Sequence, residues 1–276
     1  MTEEEFKATP EYLIPILGSL LIGILCAFVI LYSQVRPDPV TILPEAGYGP
    51  LVNAAVFVSA AGLGATMIYL LLKRGVHRFL RVLMGVAFST LTFLLVVFYS
   101  ELVLVTISIE VPLAVVLILA LAATGVVIIK LFWKPGRASP IIVVIFGGAT
   151  GSLLGASIPL QSAVLVLLLL AVYDIFAVFY GPVGKIAAKG LEQLPGTSFA
   201  FRRLHVGLGD LTFYSMLVSR VLLSFGWAVG VAALCGVLLG SFLSFKMVEK
   251  RGMFPGLPFS ILRGFLATLL ALLIVH

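Results

Sequence analysis

The sequence predicts an all-α membrane protein with nine transmembrane helices. Three observations support this fold class. The chain of 276 residues is 61% hydrophobic and only 11% charged, whereas soluble domains carry about 25% charged residues. Its apolar segments match the roughly 20 residues that a helix needs to cross a bilayer. No polar segment is longer than a loop, so we expect a single polytopic membrane domain over residues 1–276 and no appended soluble domain.

The apolar segments define the predicted spans. Spans 1–6 cover about 12–183 and spans 7–9 about 205–276; the approximate bounds are 12–33, 51–72, 82–106, 111–131, 138–157, 161–183, 205–223, 225–245 and 257–276. The first span is expected to stay in the membrane, because the acidic MTEEEFKATPEY before it lacks the basic region of a cleaved signal peptide. Glycines spaced by four residues predict close intramolecular helix packing. They are Gly147, Gly151 and Gly155 in span 5, and Gly226/Gly230 and Gly236/Gly240 in span 8.

The basic residues predict the orientation of the spans. If the nine spans alternate, 15 of the 18 Lys and Arg residues fall on the side of the N-terminus, and only Arg36, Arg220 and Arg263 do not. Basic residues resist translocation, so we expect the N-terminus to be cytoplasmic and the C-terminus to lie outside a cell membrane. The basic residues are dispersed over short loops, which does not indicate nucleic-acid binding.

Two carboxylates fall inside predicted spans. Asp174 lies in LAVYDIFAVFYG (170–181) and Asp210 in HVGLGDLTFYS (205–215). A charged Asp at the centre of a transmembrane helix costs about 2.5–3.5 kcal/mol on insertion scales. Counted along the predicted helices at about 1.5 Å per residue, their depths below the cytoplasmic boundary are ~13 Å and ~8 Å. Consecutive antiparallel helices can therefore bring the two carboxyl groups together.

The chemistry of such a pair is restricted. Two like charges in a site of low dielectric constant do not both ionise, so the pair shares one proton. One member can then take a proton from a water that attacks an amide carbonyl, while the other donates a proton to the reacting group. This reaction needs no metal and no cofactor. Gly207 and Gly209 leave room beside Asp210, and the prolines in Pro255–Pro258 predict irregular backbone that lines the same cavity.

The motifs occur in the order seen in the presenilin and signal peptide peptidase family of GxGD intramembrane aspartyl proteases, which the chain resembles over its whole nine-span plan. The matching residues are Tyr173-Asp174, Gly207-Leu208-Gly209-Asp210 and Pro255-Gly256-Leu257-Pro258, where the family has YD, GxGD and a Pro-Ala-Leu motif. The resemblance implies that Asp174 and Asp210 are catalytic and that the other matching residues contact the substrate. Gly256 departs from the alanine that the family usually has.

The resemblance also carries expectations about partners. It implies substrates that are transmembrane helices in the lipid bilayer, and the predicted orientation is that of the presenilin branch. The chain looks like a microbial, archaeal-type homologue; activity without accessory subunits and a homo-oligomer are both left open. A substrate helix must unwind before attack, so we expect an extended segment to pair with the loop between spans 6 and 7 or with the residues before Pro255.

Two alternatives remain open at the level of the sequence. A proton-coupled transporter or channel also uses buried carboxylates such as Asp174 and Asp210. The two Asp residues could instead be a structural pair, each bonded to hydroxyl groups such as those of Tyr173, Tyr180 or Tyr214. The histidines, at 77, 205 and 276, are expected at the membrane interface and not in catalysis. Cys26 and Cys235 are interpreted as small buried hydrophobic residues.

Overall fold

The computed structural model describes residues 7–35, 37–134, 136, 138–181, 196–201, 204–252 and 254–275. Over these residues, nine helices are long and apolar enough to cross a membrane, which is the predicted number. These nine helices make the chain a multi-pass membrane protein.

Some of the predictions fall outside the described residues. They concern His276, most of the loop between spans 6 and 7, and six of the basic residues used to predict the orientation, namely Arg36, Arg137, Lys185, Lys189, Arg202 and Arg203.

The helices occur in the chain order expected for successive spans, with the longest connection between the sixth and the seventh. They are α1 (Ile14–Ser33, after a 3-10 turn at Pro10–Leu13), α2 (Gly49–Lys73), α3 (His77–Thr106), α4 (Leu113–Ile128, continued by a π turn at Ile129–Trp133), α5 (Ala138–Ser157), α6 (Leu160–Phe179), α7 (Leu208–Phe225), α8 (Trp227–Arg251) and α9 (Leu257–Val275). Gly226 separates α7 from α8 with a φ of 88°, a conformation that favours glycine. It is therefore a junction residue, and not part of the packing face that its spacing from Gly230 predicts.

A short β-hairpin precedes α7. Its strands are β1 (Ser198–Phe201) and β2 (Leu204–Gly207), paired antiparallel with Phe199 opposite Val206. The sequence predicts a helical span from residue 205, and this boundary is wrong. Gly207 has extended backbone (φ −82°, ψ 140°) and Leu208 is the first helical residue. The Leu208 N–H donates to the Thr197 carbonyl oxygen (2.8 Å), so inter-strand hydrogen bonding persists up to the start of α7.

Helix α7 is the most buried span among the described residues. It contacts α1, α5, α6, α8 and α9. Its serines pair with α1, since Ser215 and Ser19 hydroxyl oxygens are 3.2 Å apart and the Ser219 hydroxyl donates to the Gly23 carbonyl oxygen (3.3 Å). In a bilayer, where lipid is as apolar as the helices, such polar contacts and close packing hold helices together.

Glycine faces set the position of α7 and α9. A Cβ on Gly151 of α5 would lie 2.6 Å from Ser215 Cβ on α7, and one on Gly155 would lie 2.9 Å from the Met216 carbonyl oxygen. On the other side, a Cβ on Gly236 of α8 would lie 2.5 Å from the Arg263 carbonyl oxygen on α9. These glycines allow backbone contact that no larger residue would permit, as their spacing predicts.

Candidate active site

Asp174 lies near the end of α6. It is five residues before the last helical residue, Phe179, so the helix rises ~7.5 Å from Asp174 to its end. The predicted end near residue 183 is too late. The Tyr180 and Gly181 N–H groups both donate to the Phe176 carbonyl oxygen (2.8 and 2.9 Å), a pattern typical of a helix C-terminus. Asp174 is partly buried.

Asp210 lies in the first turn of α7. It is the third helical residue, so it is ~3 Å along the axis from the start of the helix. Asp174 near the end of α6 and Asp210 near the start of α7 therefore lie at the adjoining ends of two consecutive helices. Their depths below the cytoplasmic boundary stay a prediction. Asp210 is also partly buried. The two acidic residues interact electrostatically.

The connection into α9 joins the two carboxyl groups. The Leu257 N–H donates a hydrogen bond to Asp174 Oδ2 (3.1 Å). An ideal Cβ on the preceding Gly256 would lie 3.3 Å from Asp210 Oδ2. Consecutive residues of one segment thus contact the carboxyl group of each Asp. Gly256 lies outside the helix, Leu257 begins it, and Pro258 occupies its first turn, where a missing N–H costs little.

Aromatic side chains connect this segment to the end of α6. The Phe254 ring lies 6.5 Å from the Phe179 ring and 5.5 Å from the Phe259 ring, measured between centroids. The Phe179–Phe254 pair is edge-to-face, a favourable arrangement for aromatic rings. It packs the last turn of α6 against the residue that precedes Pro255. This contact supports the position of Asp174 relative to the Leu257 N–H.

A small cavity borders Asp210. Its volume is about 90 Å³, which is enough for several atoms but not for a folded helix. It is lined by residues of α1, β2, α7, α8 and the segment before α9, namely Ile16, Leu204, His205, Val206, Asp210, Tyr214, Ser241, Ser244, Phe245, Val248, Phe254 and Gly256. The predicted interfacial residue His205 is exposed and lies on its rim. The cavity therefore lies between the hairpin and Asp210.

The remaining predicted site residues surround the pair at different distances. A Cβ on Gly207 would lie 3.7 Å from Asp210 Oδ2, so this glycine borders the carboxyl group. The partly buried Tyr173 ring packs on Gly62 of α2, where a Cβ would lie 3.3 Å from Tyr173 Cε2. Gly209 is exposed, and Leu208 packs partly into the core. Pro255, Leu257 and Pro258 are buried.

Three hydroxyl groups near Asp210 were not among the predicted site residues. Tyr214, Ser241 and Ser260 lie on α7, α8 and α9, and all three are nearly fully buried. Tyr214 entered the sequence analysis only as a hydroxyl partner in the structural-pair alternative; it follows Asp210 by four residues, and residues four apart share a helix face. No sequence signal brings Ser241 to the site.

The described residues provide no metal site. Among them, no three His, Cys, Asp or Glu side chains come together. The groups that surround the carboxyl pair are backbone amides, hydroxyl groups and aromatic rings. These groups can orient carboxyl groups and hold a peptide backbone, which is what a two-carboxylate hydrolase requires.

Comparison with known structures identifies the fold. Two solved structures of a presenilin family intramembrane aspartate protease superpose on the chain, each with a TM-score of 0.68. One, in space group C222, is 20% identical and covers 95% of this chain and 97% of that chain. The other, in space group P2, is 22% identical and covers 95% and 96%. No family model matches the sequence, and no curated protein matches it.

Proposed function

We propose that this chain, which has the fold of presenilin-family intramembrane aspartate proteases, is an aspartyl endopeptidase that cleaves peptide bonds within transmembrane helices. One observation carries the proposal. Asp174 accepts a hydrogen bond from the Leu257 N–H, and Asp210 Oδ2 lies 3.3 Å from the position of an added Cβ on the adjacent Gly256. Two carboxyl groups that border the same short segment can act on the same peptide bond.

The proposed reaction uses both carboxyl groups and one water. The ionised carboxyl takes a proton from the water as the water oxygen bonds to the peptide carbonyl carbon. The protonated carboxyl donates its proton to the carbonyl oxygen, giving a tetrahedral diol. The C–N bond then breaks as the leaving nitrogen accepts the proton of the carboxyl that deprotonated the water. A hydroxyl of the diol gives its proton to the other carboxylate as the product carbonyl forms, so the pair is left with one shared proton. The hydrogen bond from Leu257 fixes the orientation of Asp174 during these steps.

The substrate is proposed to bind in an extended form. Peptide carbonyl groups in a helix are hydrogen-bonded and shielded, so the cleaved segment must unwind and then needs new backbone partners. The hairpin lies next to Asp210, and β1 and β2 pair with no other strand within the part of the chain that the structure describes. Residues of β2 line the cavity at Asp210 together with Phe254 and Gly256. An added strand between them would place its backbone beside the carboxyl pair.

The proposed location follows from the basic residues and the position of the site. The site lies at the end of α6 and the start of α7, which is the side that the count of Lys and Arg assigns to the cytoplasm. We therefore expect cleavage near the cytoplasmic face of the membrane, with the N-terminus cytoplasmic and the C-terminus outside. The partners are transmembrane substrates and bilayer lipid, and the chain is expected to act without accessory subunits.

A transporter or channel is the competing function. A proton path would distribute its carboxylates across the bilayer. Asp174 and Asp210 instead contact neighbouring residues at one end of the helix bundle. This arrangement is better suited to local acid–base chemistry than to transfer across the membrane.

The decisive experiment is cleavage of a synthetic transmembrane peptide by the purified protein in liposomes. Products are identified by mass spectrometry for the unaltered protein and for Asp174→Asn and Asp210→Asn, which keep the shape of each side chain. We expect cleavage by the unaltered protein and loss of at least 10³-fold in each variant, comparable to the loss on removing one member of a catalytic unit. Equal cleavage by either variant would exclude the proposed mechanism.

A transition-state analogue of aspartyl proteases separates the two functions. It should bind the unaltered protein and bind neither variant. A protein that moves protons across the liposome membrane in an Asp-dependent way, but neither cleaves the peptide nor binds the analogue, would be a transporter.

A further inference from the structure

Six basic residues lie at one corner of the helix bundle, where α2 and α4 end and α3 begins. The packing there is apolar, since Phe132, in the π turn after α4, contacts the core formed by Leu80 and Met84 of α3, and residues from the end of α2 contact the same core. The basic residues flank these contacts and are all exposed. We call them the basic cluster; they are Lys73, Arg74, Arg78, Arg81, Lys130 and Lys134.

The helices that carry the basic cluster supply no negative charge at this end. Between residues 46 and 173 the sequence contains only two acidic residues, Glu101 and Glu110. Glu101 follows Arg78 by 23 residues on α3, which is about 35 Å along the helix axis, and Glu110 comes after the end of that helix. Arg78 and Arg81 are three residues apart on one helix, a spacing at which like charges repel each other. An anion bound between the basic side chains would offset this repulsion.

The basic cluster lies on the same side of the bundle as the carboxyl pair. Near the start of both helices, Asn53 Nδ2 of α2 donates to Ser162 Oγ of α6 (3.2 Å). Further along both, a Cβ on Gly62 would lie 3.3 Å from Tyr173 Cε2. The two contacts advance in the same direction, so α2 and α6 are parallel. The end of α2, with its basic residues, is therefore on the side where α6 ends after Asp174.

Exposed apolar side chains accompany the charges. Phe79 and Val82 directly follow Arg78 and Arg81 on α3, and they are 49% and 64% exposed. Trp133, between the basic residues of the α4 end, is 80% exposed. Tryptophan is enriched at the depth of lipid headgroups, where its ring contacts both apolar and polar groups. A surface that combines basic and apolar side chains in the same turns fits a lipid, whose phosphate and acyl chains lie next to each other.

We propose that the basic cluster binds the headgroups of anionic phospholipids in the leaflet that it faces. Guanidinium and ammonium groups donate charge-assisted hydrogen bonds to phosphate oxygens. Clusters of about four to eight Lys and Arg residues beside the end of a transmembrane helix are typical of such binding. A protein segment is a poorer fit, because segments that flank transmembrane helices on the cytoplasmic side carry an excess of basic residues. This inference goes beyond the proposed function and does not depend on it.

The two tryptophans of the chain allow a test with an internal control. Trp133 lies within the basic cluster. Trp227 begins α8, directly after the end of α7, so it lies at the end of the bundle opposite the carboxyl pair, and it is 68% exposed. Trp227→Phe leaves Trp133 as the reporter, and Trp133→Phe leaves Trp227.

Each single-tryptophan protein is placed in phosphatidylcholine liposomes. Phospholipids with brominated acyl chains, which quench tryptophan fluorescence on contact, are then added as phosphatidylglycerol, which is anionic, or as phosphatidylcholine, which is zwitterionic. The measured quantity is the ratio of the two binding constants at each tryptophan.

The expected ratio differs between the two reporters. At Trp133 phosphatidylglycerol should bind at least about fivefold more tightly than phosphatidylcholine, and at Trp227 the ratio should be close to one. Adding salt should lower the ratio at Trp133, because salt screens exposed charges. This comparison needs no change in the basic cluster, so it does not depend on the folding of a charge variant.

A charge variant identifies the residues responsible. Arg74→Gln, Arg78→Gln and Arg81→Gln together should bring the ratio at Trp133 close to one. The matched control removes the same charge at the end of α8, where Glu249 accompanies the basic residues. Its changes, Lys246→Gln, Lys250→Gln and Arg251→Gln, should leave the ratio at Trp133 unchanged. The midpoint of thermal unfolding shows whether both variants are folded.

Three outcomes would overturn the proposal. One is equal binding of the two lipids at Trp133 in the unaltered cluster, and another is a preference that persists in the folded arginine variant. The third is protection of Trp133 from quenching by a soluble Glu-rich peptide without any preference for phosphatidylglycerol, which would assign the surface to an acidic protein segment. None of these measurements uses peptide cleavage, so their result is distinct from success or failure of the proposed protease function.

Discussion

Gly151 controls how closely α7 approaches α5, and this contact can be tested by adding one methyl group. A Cβ at Gly151 would meet the Thr212 carbonyl oxygen, and it would lie 2.6 Å from Ser215 Cβ and 2.8 Å from the Met216 backbone nitrogen. The nearest atoms belong largely to the backbone of α7. They cannot rotate away, so Gly151→Ala must displace the helix that carries Asp210.

The size of the displacement follows from the contact distances. Carbon atoms in contact are normally about 3.5–4.0 Å apart, so the contact at 2.6 Å requires α7 to move by roughly 1 Å. Overpacking of this kind costs about 1–3 kcal/mol of stability. A misplacement of about 1 Å in an active site costs on the order of 10²-fold in rate. Activity should therefore fall further than stability.

The assay measures kcat/KM for the transmembrane peptide and the midpoint of thermal unfolding. Gly125→Ala is the matched control, because Gly125 lies within α4, is exposed, and has no heavy atom within 4 Å of an added Cβ. We expect a loss of about 100-fold in kcat/KM for Gly151→Ala in a protein that remains folded, and no loss for Gly125→Ala. Wild-type turnover in Gly151→Ala would refute the argument that this glycine sets the position of Asp210.

Two further predictions concern the backbone around the site. Leu257→Pro removes the N–H that donates to Asp174, together with the buried leucine side chain, at a helix position where proline is tolerated. Its kcat should fall about ten- to hundredfold. Leu257→Ala, which truncates the same side chain but keeps the N–H, should lose much less, and equal losses would contradict the prediction. In the hairpin, hydrogen-bonded and non-hydrogen-bonded residue pairs alternate, starting from the bonded pair of Thr197 and Leu208. Ala200 and His205 form a non-hydrogen-bonded pair, so their N–H groups point away from the partner strand. His205→Pro, on the strand that lines the cavity, should raise KM about two- to tenfold, and Ala200→Pro is the control; a larger effect of Ala200→Pro would place the substrate on β1.

Most of the membrane architecture could be predicted from the sequence. The number of spans follows from the length and apolarity of each segment, because the thickness of the bilayer sets how many residues a helix needs. The carboxyl groups of Asp174 and Asp210 were identified for a related reason: a charge in an apolar span is costly, so its presence indicates a partner or a use. Neither argument depends on which helices touch.

The ends of the helices near the site were less accurate. Residues 204–207 are apolar enough to extend span 7, but in the structure they pair with β1, and the helix starts only at Leu208. Hydropathy measures the preference for lipid and does not distinguish a strand from a helix turn. Backbone hydrogen bonds to residues 198–201 make residues 204–207 a strand, and hydropathy alone does not reveal these bonds.

The sequence by itself determined that the chain spans a membrane nine times and carries two acidic residues near one end of consecutive spans, because hydrophobic length and the cost of a buried charge are local properties. The tertiary structure alone decided that the Leu257 N–H donates to Asp174 and that Gly256 lies beside Asp210. These contacts join residues up to 83 positions apart in the chain. They exist because glycine faces on α5 and α8 let the helices approach to backbone contact, and such approach depends on all the helices that pack together.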